Sequence, residues 1–339
     1  MKLQIVSVVG IISVMIISVL SANPTIATTQ IIPLVSTRNH FSLQDGHLIA
    51  GHTALDSAKS NIPGLQSGTI CPPEITMYIH GVWADPQQAV EQTSRTNISL
   101  NYDNYRIPII GFTWDSNTAQ DSQGQGWSVA KQIADKNGPK LANFLLNYLT
   151  LCNTENHQNT QIRIIAHSLG ARVLLAALVY LNNNQTWNSE HLKIKSVNLL
   201  GAAVDQDSPS ITNQFGRAIK NTVEKFYNLY DIYDDLLSAA YPMFDNFKFP
   251  LGMFPASYVV STPNNFVEQN VASDKMYYKD ADGDRKFECY EDLMNEFPAL
   301  QNHCAYMGVR DLVHLDSLRD GKNGDGAMQF VVDEWNHQR

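Results

Sequence analysis

The feature that most constrains the fold is a regular alternation, from residue 75 onward, between short apolar runs and longer amphipathic segments. The apolar runs are 75–79, 106–114, 162–166, 194–203 and 223–230. The helical patterns are 86–99, 127–151, 171–181 and 326–335. Short runs that are apolar throughout are typical of strands buried on both faces. The alternation therefore predicts an α/β fold, with a mostly parallel central sheet and helices on both faces.

Prolines affect the prediction of two of these elements, the strand 106–114 and the helix 127–151. Pro108 falls inside 106–114, and proline is tolerated in a sheet mainly at the start or the edge of a strand. Gly138-Pro139 falls inside 127–151, where the pair is expected to kink or divide the helix.

The alternation breaks after Tyr230. The segment 236–292 opens with an aromatic and methionine-rich stretch that has three prolines and no clean period. It predicts either an irregular packed excursion or a cap that borders an apolar acyl pocket. We describe it as a cap-like insertion within one domain, 69–339.

The N-terminus has the parts of a secretory signal peptide, 1–22. Lys2 precedes an apolar run from Ile5 to Leu20, and Ala22 offers a small residue for cleavage. An uncleaved membrane anchor is the alternative, because the run approaches the length that spans a bilayer. Residues 23–68, rich in Thr, Ser and Asn, are expected to form a flexible lead-in. The mature protein is expected to be secreted or held at the cell surface.

Charge and cysteines limit the partners further. The net charge is -9 and Lys and Arg form no dense cluster, so a nucleic-acid partner is not expected. Any membrane contact would run through an uncleaved N-terminal anchor. Export favours pairing of the cysteines, for which three connectivities exist, and without CxxC spacing they do not predict zinc. The cysteines are Cys71, Cys152, Cys289 and Cys304.

Ser168 falls where an isoleucine-rich strand is followed by an apolar helix. The small residues Ala166 and Gly170 flank it, which permits a tight turn that lifts the hydroxyl above the sheet. Ala166 replaces the usual glycine of such turns and is small enough to keep them. A serine hydroxyl needs an imidazole to take its proton and donors to hold the oxyanion. The N–H of Leu169, at the helix N-terminus, is one such donor.

An acid is expected downstream of this serine. Asp234 and Asp235 follow the run 223–230 after a short loop, and either could orient the imidazole through its Nδ1–H. Asp205 and Asp207 follow the preceding strand, one step too early for the commonest arrangement.

Two histidines compete for the role of base. His303 lies in a polar loop beside Cys304, whereas His314 lies in an apolar run that could be buried. The polar setting favours His303 as the general base, with His314 as the alternate.

At these residues the sequence resembles the α/β-hydrolase superfamily, and within it lipase-like and esterase-like members of unassigned substrate. Ile79-His80-Gly81 resembles the oxyanion strand, and residues 111–116 are similar to the Phe-Ser-Trp-Pro-Ser end of the next strand. The segment 166–170 resembles the nucleophile turn. Residues 234–237 are similar to an Asp-x-Val-Leu run, and 302–306 to an Asn-His-Ser-x-Tyr histidine loop. The resemblance covers roughly residue 75 to the C-terminus.

The resemblance implies hydrolysis of a small-molecule or lipid ester by Ser168, Asp234 and His303, without a cofactor. It also implies that Val82 supplies the second oxyanion N–H, while His80 is a structural residue. Acyl transfer by the same triad, and an inactive extracellular binding protein of the same fold, are the alternatives.

The resemblance also bears on the disulfides. In this fold the strands 75–79 and 162–166 are neighbours, which predicts the pairs Cys71–Cys152 and Cys289–Cys304.

One acidic insertion remains. Asp280, Asp282 and Asp284, with Glu288 and Glu291, occupy positions one, three, five, nine and twelve of a calcium loop. Arg285 stands at the sixth position, where glycine is needed for the sharp turn. The pattern predicts a solvated acidic loop, with a structural calcium site as the alternative and no metal in the chemistry.

Overall fold

The computed structural model describes residues 32–121, 123–155, 160–271, 303, 305–307 and 326–338. Within these ranges the strands form one sheet of eight, in the order β2-β1-β4-β3-β5-β6-β7-β8. Their bounds are β1 Leu34–Ser36, β2 Lys59–Ser60, β3 Glu74–Ile79, β4 Ile109–Thr113, β5 Gln161–His167, β6 Ile194–Leu200, β7 Val223–Tyr230 and β8 Phe266–Asn270. All neighbouring strands are parallel except β1 and β2, which confirms the predicted mostly parallel sheet.

Helices cover both faces of this sheet, as predicted. The described helices are α1 Pro63–Gln66, α2 Pro86–Tyr102, α3 Gln125–Thr150, α4 Gly170–Asn182, α5 Gln185–Ser189, α6 Gln214–Thr222, α7 Asp235–Phe244 and α8 Gly326–His337. Helices α3, α4 and α6 share one apolar cluster with Ile164 of β5. Helices α2 and α8 share a second cluster with the next residue, Ile165. Successive side chains of β5 thus enter opposite cores, as expected for a strand buried on both faces. None of the described helices is long and apolar enough to cross a membrane.

The two proline signals have different outcomes. The strand β4 begins directly after Pro108, whose carbonyl accepts a hydrogen bond from the N–H of Thr76 at 2.9 Å. Helix α3 runs on through Gly138-Pro139 to Thr150, so of the two predicted outcomes, a kink or a division, the division does not occur. A side chain at Gly138 would lie 2.5 Å from Cβ of Ala176, so the glycine permits close packing of α3 against α4.

Part of the lead-in 23–68 belongs to the sheet. Strand β1 pairs in parallel with β4, with Leu34 opposite Gly111, and β2 extends the sheet beyond it. The carboxylate of Asp115 fixes the following chain, because it accepts hydrogen bonds from the N–H groups of Asn39, His40 and Phe41. Residues 32–68 thus contribute two strands and a hydrogen-bonded turn, and the flexibility of the lead-in stays a prediction.

The cap-like insertion 236–292 is also partly built into the sheet. Strand β8, Phe266–Asn270, pairs with β7, and the loop before it packs over the ends of the strands. In that loop, Leu251 and Gly252 donate hydrogen bonds to the carbonyls of Val204 and Ala202. The described part of the insertion thus combines helix α7, a packed excursion and one sheet strand.

The structure contains the predicted bond between Cys71 and Cys152, with the two Cα atoms 5.5 Å apart. The bond joins the segment before β3 to the helical turn after α3. The predicted pair Cys289–Cys304 lies outside the described residues, as do the signal segment and the acidic loop around Asp282.

Candidate active site

Ser168 occupies a strained turn between β5 and α4. Its φ is 54°, in the left-handed region that a residue with a side chain rarely adopts. Its N–H donates to the carbonyl of Leu200 at 3.0 Å, and its carbonyl accepts from Ala203 at 3.1 Å. A side chain at Gly170 would lie 2.6 Å from the carbonyl oxygen of His80, so only glycine lets α4 start this close to β3. This is the turn that the sequence predicts for a nucleophile.

The loop after β3 passes directly beside the nucleophile. A Cβ at Gly81 would lie 2.8 Å from Cβ of Ser168, so a larger residue would displace one of the two. Val82 follows Gly81 and is buried. The N–H of Leu169 has no hydrogen-bond partner among the described residues and stands at the start of α4. Leu169 and Val82 remain the predicted oxyanion donors.

His80 holds this loop in place. Its Nδ1 donates to the carbonyl of Gly81 at 2.8 Å, and its Nε2 lies 3.3 Å from the backbone nitrogen of Trp114. Burial, followed by the nearby Arg38 guanidinium, lowers the pKa of His80 well below its usual value. The neutral ring therefore has both nitrogens engaged, which fits the structural role predicted for it.

Asp234 is the buried acid at the C-terminal edge of the sheet. It caps the N-terminus of α7, where its Oδ1 accepts a hydrogen bond from the N–H of Leu237 at 3.0 Å. Asp235 is exposed, and Asp207 is exposed on an earlier loop. Asp205 bonds to the hydroxyl of Tyr241. Of these four carboxylates, only Asp234 is fully buried and faces the histidine loop.

His303 meets this acid. Its Nδ1 lies 2.7 Å from Oδ2 of Asp234, and both side chains are fully buried. The other nitrogen, Nε2, is buried and has no hydrogen-bond partner among the residues that the structure describes. The alternate base His314 lies outside the described residues.

His303 packs against the immediate neighbours of Ser168. The Nε2–H of His167 donates to the carbonyl of His303 at 2.9 Å, and the two rings are 4.7 Å apart. A Cβ at Gly201, the residue after Leu200, would lie 3.2 Å from Cε1 of His303. Ser168 and His303 form no hydrogen bond with each other. Such bonds are often long without substrate and tighten in the complex.

Tyr306 and His167 also bond to the candidate site, Tyr306 to Asp234 and His167 to His303, and the sequence analysis did not include them. The hydroxyl of Tyr306 lies 3.2 Å from Oδ2 of Asp234 and 3.3 Å from the carbonyl of Gly252. Burial, followed by the charge of Asp234, raises the pKa of Tyr306 well above its usual value, so the hydroxyl stays protonated. The signal for Tyr306 was present in the histidine-loop pattern, and His167 adjoins the nucleophile.

One group of the described residues could hold a metal ion by distance alone. His40, His52 and Asp56 each place a ligand atom within 4.8 Å of the others. The two imidazole rings stack, however, with centroids 3.9 Å apart and planes at 23°. The lone pairs of nearly parallel rings do not converge on one point. The ammonium of Lys140, 4.0 Å from Oδ2 of Asp56, already provides a cation for that carboxylate. We therefore assign no metal to this group.

Comparison with known proteins adds a family. The model of the family described as "Alpha/beta hydrolase of unknown function (DUF900)" matches residues 70–247, which include Ser168 and Asp234. No curated protein matches the sequence. Among solved structures, "a novel cutinase-like protein from Cryptococcus sp." is similar, at 12% identity and a TM-score of 0.28. The match covers 70% of this chain and 93% of that chain.

Proposed function

The chain belongs to the DUF900 family of α/β hydrolases, whose function is unknown, and we propose that it is a serine hydrolase that cleaves carboxylic esters. The reaction would pass through an acyl-enzyme on Ser168. The disulfide between Cys71 and Cys152 supports a place outside the cytoplasm, because such bonds persist in oxidising compartments.

The observation that carries the proposal is the buried pair of His303 and Asp234. Burying a carboxylate and an imidazole away from water costs free energy unless the two groups are bonded to each other. The pair leaves Nε2 of His303 buried and without a hydrogen bond to any described residue, and the ring lies beside His167 and Gly201. Both nitrogens of His80 are engaged, whereas among the described residues His303 has only Nδ1 bonded, which leaves Nε2 to accept a proton.

Each residue would have a defined step. Nε2 of His303 takes the proton of Ser168 while Oγ attacks the ester carbonyl carbon, and the carbonyl oxygen becomes an oxyanion. The N–H groups of Leu169 and Val82 would donate to this oxygen. His303 then gives the proton to the departing alcohol, which leaves the acyl group on Ser168. Water, deprotonated by His303, releases the acid and restores the serine. Asp234 accepts from Nδ1 throughout and stabilises the imidazolium.

Labelling with a fluorophosphonate probe tests the nucleophile. Such probes phosphonylate an activated serine, so the wild-type chain should label at Ser168, and Ser168→Ala should not label or cleave esters. Ser128→Ala is a matched control, because Ser128 is exposed on α3 away from the turn. Labelling that persists in Ser168→Ala, or activity within tenfold of wild type, would reject the assignment.

A panel of p-nitrophenyl esters of graded chain length tests the ester part of the proposal. Hydrolysis that depends on Ser168 at any chain length supports it. Labelling at Ser168 without cleavage of any ester would keep the nucleophile and reject the substrate class.

A further inference from the structure

The segment 242–261, called here the apolar lobe, presents large apolar side chains to solvent. Phe247 is the most exposed of them, at 85%, and Tyr258 follows at 76%. Met243, Phe249 and Val259 are exposed as well. Single exposed apolar residues need no explanation, but five of them within one 20-residue segment make that segment a candidate interaction surface.

The apolar lobe is joined directly to the candidate active site. The N–H of Gly252 donates to the carbonyl of Ala202 at 2.9 Å. The next residue, Ala203, donates to the carbonyl of Ser168 at 3.1 Å. The exposed ring of Phe249 lies three residues before Gly252 on the same chain segment. The backbone of the lobe is therefore tied through these two hydrogen bonds to the turn that holds Ser168.

The backbone holds Phe247 in a conformation that bulky residues rarely adopt. Asn246 and Phe247 have successive φ values of 55° and 58°, in the left-handed region. The N–H of Phe247 donates to the carbonyl of Pro242 at 2.8 Å, which fixes this turn. Strained residues persist where the surrounding structure enforces them, and they cluster at ligand contacts. An aromatic ring held strained and in water thus points to a binding role.

Charges on the lobe narrow the chemistry of the partner. Only Asp245 and Lys248 are charged within 242–261. Asp245 pairs with Lys131 on α3, and Lys248 pairs with Asp205. Anionic membranes are recognised by clusters of unpaired Lys and Arg, which this lobe lacks on a chain of net charge -9. Aromatic and aliphatic side chains of this kind do partition into the boundary of an uncharged lipid phase.

We propose that the apolar lobe adsorbs to an uncharged lipid–water interface, where the ester substrate is presented to Ser168. The substrate part of this inference rests on the proposed ester hydrolysis. A second copy of the chain is the alternative occupant, and the oligomeric state of the wild type distinguishes it from a lipid surface.

Adsorption is tested on the full chain in a Ser168→Ala background, so that hydrolysis does not change the surface. Vesicles of dioleoylphosphatidylcholine are sedimented with this protein and with the further double variant Met243→Gln/Phe247→Asn. Asparagine accepts the left-handed conformation at position 247, so the double variant should fold. Leu55→Gln is the matched control, since Leu55 is 57% exposed outside the lobe. All variants share one N-terminus, so any contribution of its apolar run is common to them.

The double variant should partition about tenfold or more weakly, because each buried apolar side chain contributes roughly a factor of ten. Leu55→Gln should stay within about twofold of the parent. Partitioning that survives about 1 M salt would agree with an uncharged surface. In the active background, the double variant should cleave soluble p-nitrophenyl acetate at the parent rate and emulsified trioctanoylglycerol more slowly.

Equal partitioning of the double variant and the parent would overturn the inference. So would a wild-type dimer in sedimentation velocity that the double variant dissociates, since a second copy would then be the occupant. Failure of the active chain to cleave even the soluble ester would instead contradict the proposed function, while the sedimentation result still decides the lobe.

Discussion

Replacing Asp234 by asparagine separates the two roles of this side chain. Its Oδ1 caps α7 through the N–H of Leu237, and its Oδ2 accepts from His303 and Tyr306. Asparagine keeps an oxygen for the cap but turns an amide NH₂ toward Nδ1 of His303. The ring must then carry its proton on Nε2, where it can no longer accept the proton of Ser168. The same change in the serine-protease triad costs about 10⁴ in kcat. We therefore expect a loss of about 10³ to 10⁴.

The cap predicts a different result for alanine. Asp234→Ala should lose the same activity and also about 1 kcal/mol of unfolding free energy relative to Asp234→Asn, because the cap bond to Leu237 disappears. Steady-state kcat on p-nitrophenyl acetate and urea denaturation measure the two effects. Asp235→Asn is the matched control, because Asp235 is exposed on the first turn of α7. Near-normal activity of Asp234→Asn, or an inactive Asp235→Asn, would refute the reasoning.

Three further predictions follow from the same structure. The double variant Cys71→Ser/Cys152→Ser should have an unfolding free energy lower by up to about 4 kcal/mol, because the bond closes a loop of 81 residues. Urea denaturation measures this loss, and an unchanged midpoint would contradict the prediction. Gly201→Ala should lower kcat and stability together, since φ is 53° and the new Cβ would lie 2.6 Å from Cε2 of Tyr306; a fully active, stable variant would show that the loop adapts. Burial lowers the pKa of His40 to about 4. Between pH 4 and about 6.5 the unfolded chain therefore binds a proton that the folded chain does not, and the unfolding free energy should fall as the pH drops through this range. In His40→Gln the unfolding free energy should change less with pH over the same range.

The central strands were predictable because each is a continuous apolar run, long enough to be recognised in the sequence as a strand. The outer strands were not. Strand β1 spans three residues and β2 two, too few for any period to appear, and β1 exists only because β4 offers a partner. Strand β8 has only one buried residue, Phe266, and its polar and apolar residues do not alternate clearly. The sequence therefore offers no reason to separate it from the insertion. Helix α3 survives Gly138-Pro139 because contacts with α4, which local sequence does not reveal, favour the close approach.

The candidate site divides in the same way. Ser168 has a local signature, since small residues, a strand before and a helix after are contiguous in the chain. His303 and Asp234 are 69 residues apart and could be ranked only by the type of loop that holds them. His167 contacts the site through a hydrogen bond to the carbonyl of His303, and the residues around position 167 do not predict this bond. Contacts made across the fold by backbone atoms are the part that sequence reasoning cannot supply.

The described surroundings of Asp234 supply hydrogen bonds to this buried carboxyl group. A carboxylate away from water is stabilised in its charged form by hydrogen bonds donated to it. Asp234 accepts from the N–H of Leu237, from Nδ1 of His303 and from the hydroxyl of Tyr306, and it stands at the positive end of α7. Hydrogen bonds from neutral donors favour the charged form of a carboxylate, and a charged Asp234 beside Nδ1 would stabilise the imidazolium of His303 in the proposed reaction.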